Sequence, residues 1–168
     1  MLENSWQQRK VFSMAREVMG RTARPVRAVL ITRRRDEGIQ ASPVSALAIG
    51  EDLFWITSSE VTAKTRNIQR DPRVALCVVS ENWYGPWRTV EGIATAHSAA
   101  ESFAELKEFH RCRDGEPALT APDLDRRLLE AWQAEAKVLI AVRTERVVRS
   151  PTLDELATSI ARRTRMPR

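Results

Sequence analysis

Short apolar runs parted by tight turns recur through the middle of this chain, and they constrain its fold more than any other feature. Ala28-Val29-Leu30-Ile31-Thr32 reads as a compact strand, Asp36-Glu37-Gly38 as a turn, and Ile39 to Ile49 as the return strand of a hairpin. Gly50-Glu51-Asp52 turns the chain into a third strand, Leu53 to Thr57. Val74 to Val79 is apolar on both sides, as a central strand is. Trp87 to Ala96 forms a fifth strand with Val90, Gly92 and Ala94 on one face, and Lys137 to Val148 forms the last. Helical segments decorate this series. Asn4 or Ser5 caps a helix to about Met19, Ser98 opens one to about Arg113, and Asp123 or Asp125 opens another to Glu135. A short terminal helix follows Ser150-Pro151. Six strands joined mostly by turns predict a mainly β chain, an antiparallel barrel with helices added. The regular strand–helix alternation of a doubly wound parallel sheet is absent.

The chain has 168 residues, enough for one domain to bury about two-thirds of its unfolded surface, and we expect residues 1–168 to form a single domain. No apolar run reaches the roughly 20 residues of a membrane span, and the N-terminus lacks a signal pattern, so the expected location is the cytoplasm, with no membrane partner. Two cysteines, Cys77 and Cys112, make no disulfide framework, in keeping with a reducing compartment, and Cys77 is expected in the core. The net charge of +5 derives largely from arginine, concentrated at 21–35 and 162–168. Such a balance suits anionic partners or is simply a solvated basic surface. Nucleic acid is not expected, because aromatic platforms on basic strands are lacking.

The most informative local pattern lies between the third and fourth strands. The strand closes on Thr57-Ser58-Ser59, and after a short polar loop a helical segment carries Lys64 and Arg66 in its first turn before Pro72 stops it. Cations at a helix N-terminus oppose the macrodipole unless an anion docks there, where free N–H groups also favour one. Lys64 offers a point charge, and the hydroxyls of Thr57, Ser58 and Thr65 can donate to phosphate oxygens. The alternative is a surface helix whose basic residues face water. Pro43 interrupts the second strand and needs an edge or a bulge. The backbone of Pro43, Val44, Ser45 and Ala46 could then meet a flat heterocycle, or the proline could serve only to blunt the edge. Trp83-Tyr84-Gly85-Pro86-Trp87-Arg88 packs aromatics about a turn, as a cofactor or subunit contact or as a lid over the barrel end. His97 and His110 lack zinc-site spacing. No Gly-rich phosphate loop, nucleophile elbow or acid–base pair is present, so no catalytic side chain is assigned and a cofactor would carry any chemistry.

The segments Ser42-Pro43-Val44, Trp55-Ile56-Thr57, Ala63-Lys64-Thr65-Arg66-Asn67-Ile68, Asp71-Pro72-Arg73-Val74-Ala75-Leu76 and Val90-Glu91-Gly92-Ile93-Ala94 together resemble the pyridoxamine 5′-phosphate oxidase-like, FMN-binding split-barrel superfamily. The likeness is strongest to its small flavin- or deazaflavin-dependent oxidoreductases. It implies a six-stranded antiparallel split β-barrel working as a homodimer with cofactor sites at the subunit interface. It also implies FMN, or alternatively the deazaflavin coenzyme F420, used for hydride transfer with a small conjugated or heterocyclic substrate. By that likeness Lys64 binds the cofactor phosphate with Thr57, Ser58 and Thr65, and the backbone of Pro43 to Ala46 and of Ile56 lines the ring. Trp87 and Arg88 border the same pocket. The oxidases' C-terminal Trp and Arg-Leu-x-Pro segment is missing from the Arg163–Arg168 end, so oxidation of a B6 vitamer is not expected, and Ala63 stands where they carry an arginine, which argues against a doubly clamped FMN phosphate. The remaining alternative is a non-catalytic flavin or haem carrier or sensor of the same fold, with His97 or His110 as the haem ligand.

Overall fold

The structure, a computed structural model, describes residues 25–50, 52–79, 87–115 and 121–151. The helix expected before Met19, the turn expected at Trp83 to Pro86 and the helix expected after Pro151 fall outside these residues. Six strands, β1 (Val26–Arg33), β2 (Ile39–Ile49), β3 (Leu53–Ser59), β4 (Arg73–Val79), β5 (Trp87–Ser98) and β6 (Lys137–Arg149), close into an antiparallel barrel in the order β1-β2-β3-β6-β5-β4. Closure leaves no strand with a full-length free edge that would template aggregation. Among the described residues three helices interrupt the strands: α1 (Ala63–Arg70), α2 (Phe103–Asp114) and α3 (Pro122–Ala134). Among the described residues, no helix is long and apolar enough to cross a membrane.

Period-two alternation divides the apolar residues between two cores. Ala28, Leu30, Ala46, Ile56, Val74, Leu76, Val90, Ala94, Ile140 and Val142 fill the barrel, and Ile68 of α1 joins them from one end. On the outside, Leu47, Ile49, Leu53, Trp55 and Leu139 are covered by Leu106 and Phe109 of α2 and Trp132 of α3. The same alternation corrects the expectation for Cys77. Leu76 is fully buried in the barrel, so Cys77 faces outward, half-buried and a free thiol, opposite Val29 and Thr89.

The hairpin turn holds Glu37 at a φ of 62°, with Arg34 N–H donating to the Gly38 carbonyl and Gly38 N–H to Asp36 Oδ1. A register shift between Glu91 and Gly92 interrupts the β5–β6 ladder, and a Cβ at Gly92 would overlap the Arg143 carbonyl oxygen. Only glycine permits that approach. α2 begins later than the sequence suggests. β5 runs on to Ser98, whose N–H and hydroxyl both donate to Glu101, and the helix starts one turn on, at Phe103. α3 starts slightly earlier, at Pro122, where the missing N–H costs nothing, and Asp123 and Asp125 then lie in its first turn with the helix dipole in their favour.

Candidate functional site

One seam of the barrel opens part-way along. β2 and β3 are paired from Ile49↔Leu53 to Ala46↔Ile56, and there their ladder stops. β2 continues as Ser45 to Ile39 with β1 as its partner, and β3 continues as Thr57 to Ser59 with β6 as its partner. This divergence resolves the position of Pro43. It lies opposite Val29 in the β1–β2 ladder, in the part of β2 that β3 has already left, so no N–H is required of it on that side. The residues bordering the split are Pro43, Val44, Ser45 and Ala46 on one edge and Ile56, Thr57 and Ser58 on the other. All are among the residues expected from the sequence. Their side chains divide by parity. Val44, Ala46, Ile56 and Ser58 share the inward parity, whereas Pro43, Ser45 and Thr57 alternate to the outer rim with Leu47 and Trp55.

α1 follows directly from β3 and closes this end of the barrel, packed against β1 and β5. Its N-terminus is tied to β3 by hydroxyls. Thr65 is fully buried, its Oγ1 donating to the Ser59 carbonyl at 2.9 Å and lying 3.2 Å from Ser58 Oγ and 3.0 Å from Thr62 Oγ1. Ser58 and Thr62 are themselves 3.0 Å apart, and Thr62 Oγ1 donates to the same Ser59 carbonyl. These hydroxyls hold the loop. They leave the helix start without a side-chain cap, and its first turn contains no acidic residue. Thr62 carries no signal of its own in the sequence, apart from its three-residue spacing to Thr65.

Lys64 sits in the middle of the helix face turned to the protein. At about 100° per residue it is displaced by about 60° from Asn67 and about 40° from Ile68, both of which are buried. Lys64 is partly buried, and it makes no hydrogen bond or ion pair with any described residue. Arg66, on the other face, is exposed. The opposite end of the helix is neutralised. Asp71 binds Arg73 through Oδ1 at 2.9 Å and Oδ2 at 2.8 Å, and lies 4.0 Å from Arg33. The Arg73 side-chain and backbone donors hold the Asp71 carboxyl down at about 2. The cations beside α1's C-terminal end, Arg33 of β1 and Arg73 of β4, share the Asp71 carboxylate, and the lysine at its N-terminal end has no partner among the described residues.

Trp87 and Arg88 open β5 and are both exposed. Arg88 faces Val78, Val78 faces Ala28, and Ala28 faces Val44, so three interstrand steps, about 14 Å around the wall, separate Arg88 from the split. Within one chain, therefore, Trp87 and Arg88 are not brought to the edge where Lys64 lies. The histidines are elsewhere. His97 lies on the outer side of β5 with Thr95 Oγ1 2.9 Å from its Nε2, and burial lowers its pKa against the charges of Glu101 and Glu105. His110 stacks on Trp132 at 5.2 Å and 26°. Burial first, then the Arg113 and Lys137 charges, push it down to about 4. Among the described residues, no group of three or more His, Cys, Asp or Glu could hold a metal ion.

Comparison with known proteins bears on this arrangement. The family model for pyridoxamine 5′-phosphate oxidase matches residues 14–147, which takes in all of α1, the split and the first five strands. The chain belongs to the pyridoxamine 5′-phosphate oxidase family. Among solved structures, an F420 reductase is 26% identical, with 74% of this chain and 90% of that chain covered and a TM-score of 0.53. A conserved hypothetical protein from Mycobacterium tuberculosis is 18% identical, covering 82% of each chain with a TM-score of 0.55. General stress protein 26 from Bacillus anthracis is 14% identical, with 83% and 92% covered and a TM-score of 0.50. These last two share the fold. No curated protein matches the chain.

Proposed function

We propose that this protein is an oxidoreductase that binds FMN, or alternatively the deazaflavin F420, at the β2–β3 split and transfers hydride to or from a small conjugated or heterocyclic substrate. The observation that carries the reading is Lys64: a partly buried cation on the inward face of α1, without a partner among the described residues, next to an uncapped helix N-terminus and two unpaired strand edges. An anionic phosphate there would satisfy the lysine charge, the free N–H groups and the helix dipole together. A bound flavin or deazaflavin would supply the two-electron chemistry. The chain's own residues bind and orient. Lys64 holds the phosphate, Ser58 and Thr65 fix the loop that presents it, with Thr57 on the outer rim, and the backbone of Pro43 to Ala46 and of Ile56 flanks the ring. The likeness to an F420 reductase supports the oxidoreductase class and keeps the deazaflavin in view.

The reading extends to a homodimer with the sites at the subunit interface. Three features support it: half-buried Val29, Ile31, Ala75 and Cys77 on the outer wall of β1 and β4, which contribute nothing to the helix-covered core; Ile39, 73% exposed; and Trp87, 40% exposed. Trp87 and Arg88, three strands from the split in their own chain, would then border the partner's site. The two free thiols, Cys77 and Cys112, support a cytoplasmic setting. Titration of the purified protein with FMN and with F420, followed by absorbance and fluorescence, tests the reading. About one cofactor bound per chain is expected, and failure of both to bind overturns it.

A further inference from the structure

α1 is fastened on both sides of the split. Its N-terminal half is held to β3 by Thr65, as described above, and its C-terminal half is held to the β1–β2 hairpin by Asn67. Asn67 is 6% exposed, and every polar atom of its amide is used. Nδ2 donates to Thr32 Oγ1 and to Gln40 Oε1, both at 3.0 Å. Oδ1 accepts from Arg70 Nη2 at 3.2 Å, and the same nitrogen donates to the Arg33 carbonyl at 2.5 Å. Thr32, 2% exposed, is the other buried polar group in this set. Asparagine is a poor helix former, because its amide competes with the backbone for hydrogen bonds. Helix propensity therefore does not explain an asparagine at mid-helix beside Ile68 of the barrel core.

We propose that Asn67 is a positioning residue for the phosphate seat: anchored to Thr32 and Gln40, it sets the rotation of α1 about its own axis and thereby aims Lys64 at the ligand. The inference rests on the cofactor reading above. Its physical basis is a lever. The Cα atoms of a helix lie about 2.3 Å from its axis and a lysine ammonium reaches roughly 6 Å further, so a ~20° rotation carries it about 3 Å. That displacement is enough to break a contact that needs a separation near 3 Å. Thr65 alone does not prevent the rotation, since it fastens only the β3 side, and the Arg70 bond to the Arg33 carbonyl is made from the far end of a long, flexible side chain. Asn67 on one side and Thr65 on the other leave the helix a single orientation, with Lys64 between them.

The test uses the full-length protein and two probes differing only in the phosphate, FMN and riboflavin, with 7,8-didemethyl-8-hydroxy-5-deazariboflavin and its 5′-phosphate in their place if the wild type takes only the deazaflavin. Asn67→Ala is expected to weaken FMN binding about tenfold, the scale of one lost buried hydrogen-bonding group, and to leave riboflavin binding unchanged. In a Lys64→Ala background the same substitution should cause no further loss of FMN affinity, because the residue it positions is gone. Gln40→Leu removes an acceptor from the hairpin without altering α1, and it should give a smaller loss of the same phosphate-selective kind. If Asn67→Ala does not fold, this variant decides the matter. Equal weakening of FMN and riboflavin, no weakening of either, or an undiminished loss in the Lys64→Ala background overturns the inference and leaves the cofactor reading standing. A wild-type protein that binds no flavin and no deazaflavin overturns the cofactor reading itself, and this inference with it.

Discussion

The two halves of β3 lie in different surroundings. Leu53 to Ile56 are paired with β2 on one side and β6 on the other, Trp55 is sealed under α2 and α3, and Ile56 is sealed in the barrel. Thr57 to Ser59 keep the β6 ladder, lose β2, and are partly exposed. In the first half the backbone is satisfied by strands and the side chains are packed in apolar contact. In the second, hydroxyls and carbonyls satisfy one another across the loop into α1. The same contrast separates Leu47, fully buried opposite Trp55, from Pro43, exposed four residues earlier on β2. On the proposed reading, stability and ligand binding then fall at different points along the same two strands. Changes in the sealed half should alter stability without altering affinity, and changes at the split should do the reverse.

The strongest challenge to that division is Leu47→Ala. It should destabilise the protein by about 3 kcal/mol, from lost burial and the cavity left behind, while the folded protein keeps its flavin affinity; denaturant unfolding and cofactor titration of one sample would show both. Lys64→Ala is its mirror image. Flavin affinity should fall by roughly 10- to 100-fold, as expected when a charge-assisted contact is removed, and the unfolding free energy should stay within about 0.5 kcal/mol of wild type. An unaltered affinity would remove Lys64 from the phosphate seat.

His110 sharpens the comparison from the sealed side, because it is packed against Trp132 under the helices. Its folded-state pKa, about 4, lies below the ordinary value of 6.5. The unfolded chain therefore binds the proton first, so the stability due to neutral His110 is complete above about 6.5 and is lost as pH falls from there towards 4. Thermal melts from pH 7 to pH 4 should show a fall that His110→Phe largely removes, and an identical fall in that variant would exclude His110 as its source. The smallest effect is expected at the hairpin turn, remote from both regions. Glu37→Gly relieves a left-handed backbone and should stabilise by about 1 kcal/mol without changing affinity.

Much of the fold was legible in the chain's own pattern, and the reasons are local. The return strand reads as Ile39 to Ile49 and is found there, because a turn and a glycine bound it on either side. The helix after β3 is likewise where Pro72 and the polar loop put it. Misread boundaries have equally local causes. Ser98 and Glu101 pair as a helix start does, but β6 holds Ser98 in the ladder opposite Val138, and α2 waits another turn. Cys77 looks like core because its neighbours are apolar on both sides, and only the barrel tells its inner face from its outer one.

At the site, Lys64 and the hydroxyls were visible as residue types in a suggestive order. Asn67 was visible only as a letter between Arg66 and Ile68, since its partners Thr32 and Gln40 lie 35 and 27 positions away in the chain. The amino-acid order by itself determined the strands, the short helix and the cation at its start, because periodicity, turn residues and helix termini act over a few neighbouring residues. The tertiary structure alone decided that β2 and β3 part before Ser45 and after Ile56, that Lys64 lies on the inward face of α1, and that Asn67 bonds to Thr32 and Gln40. Each of these depends on register and on contacts between segments distant in the chain, which no local preference encodes.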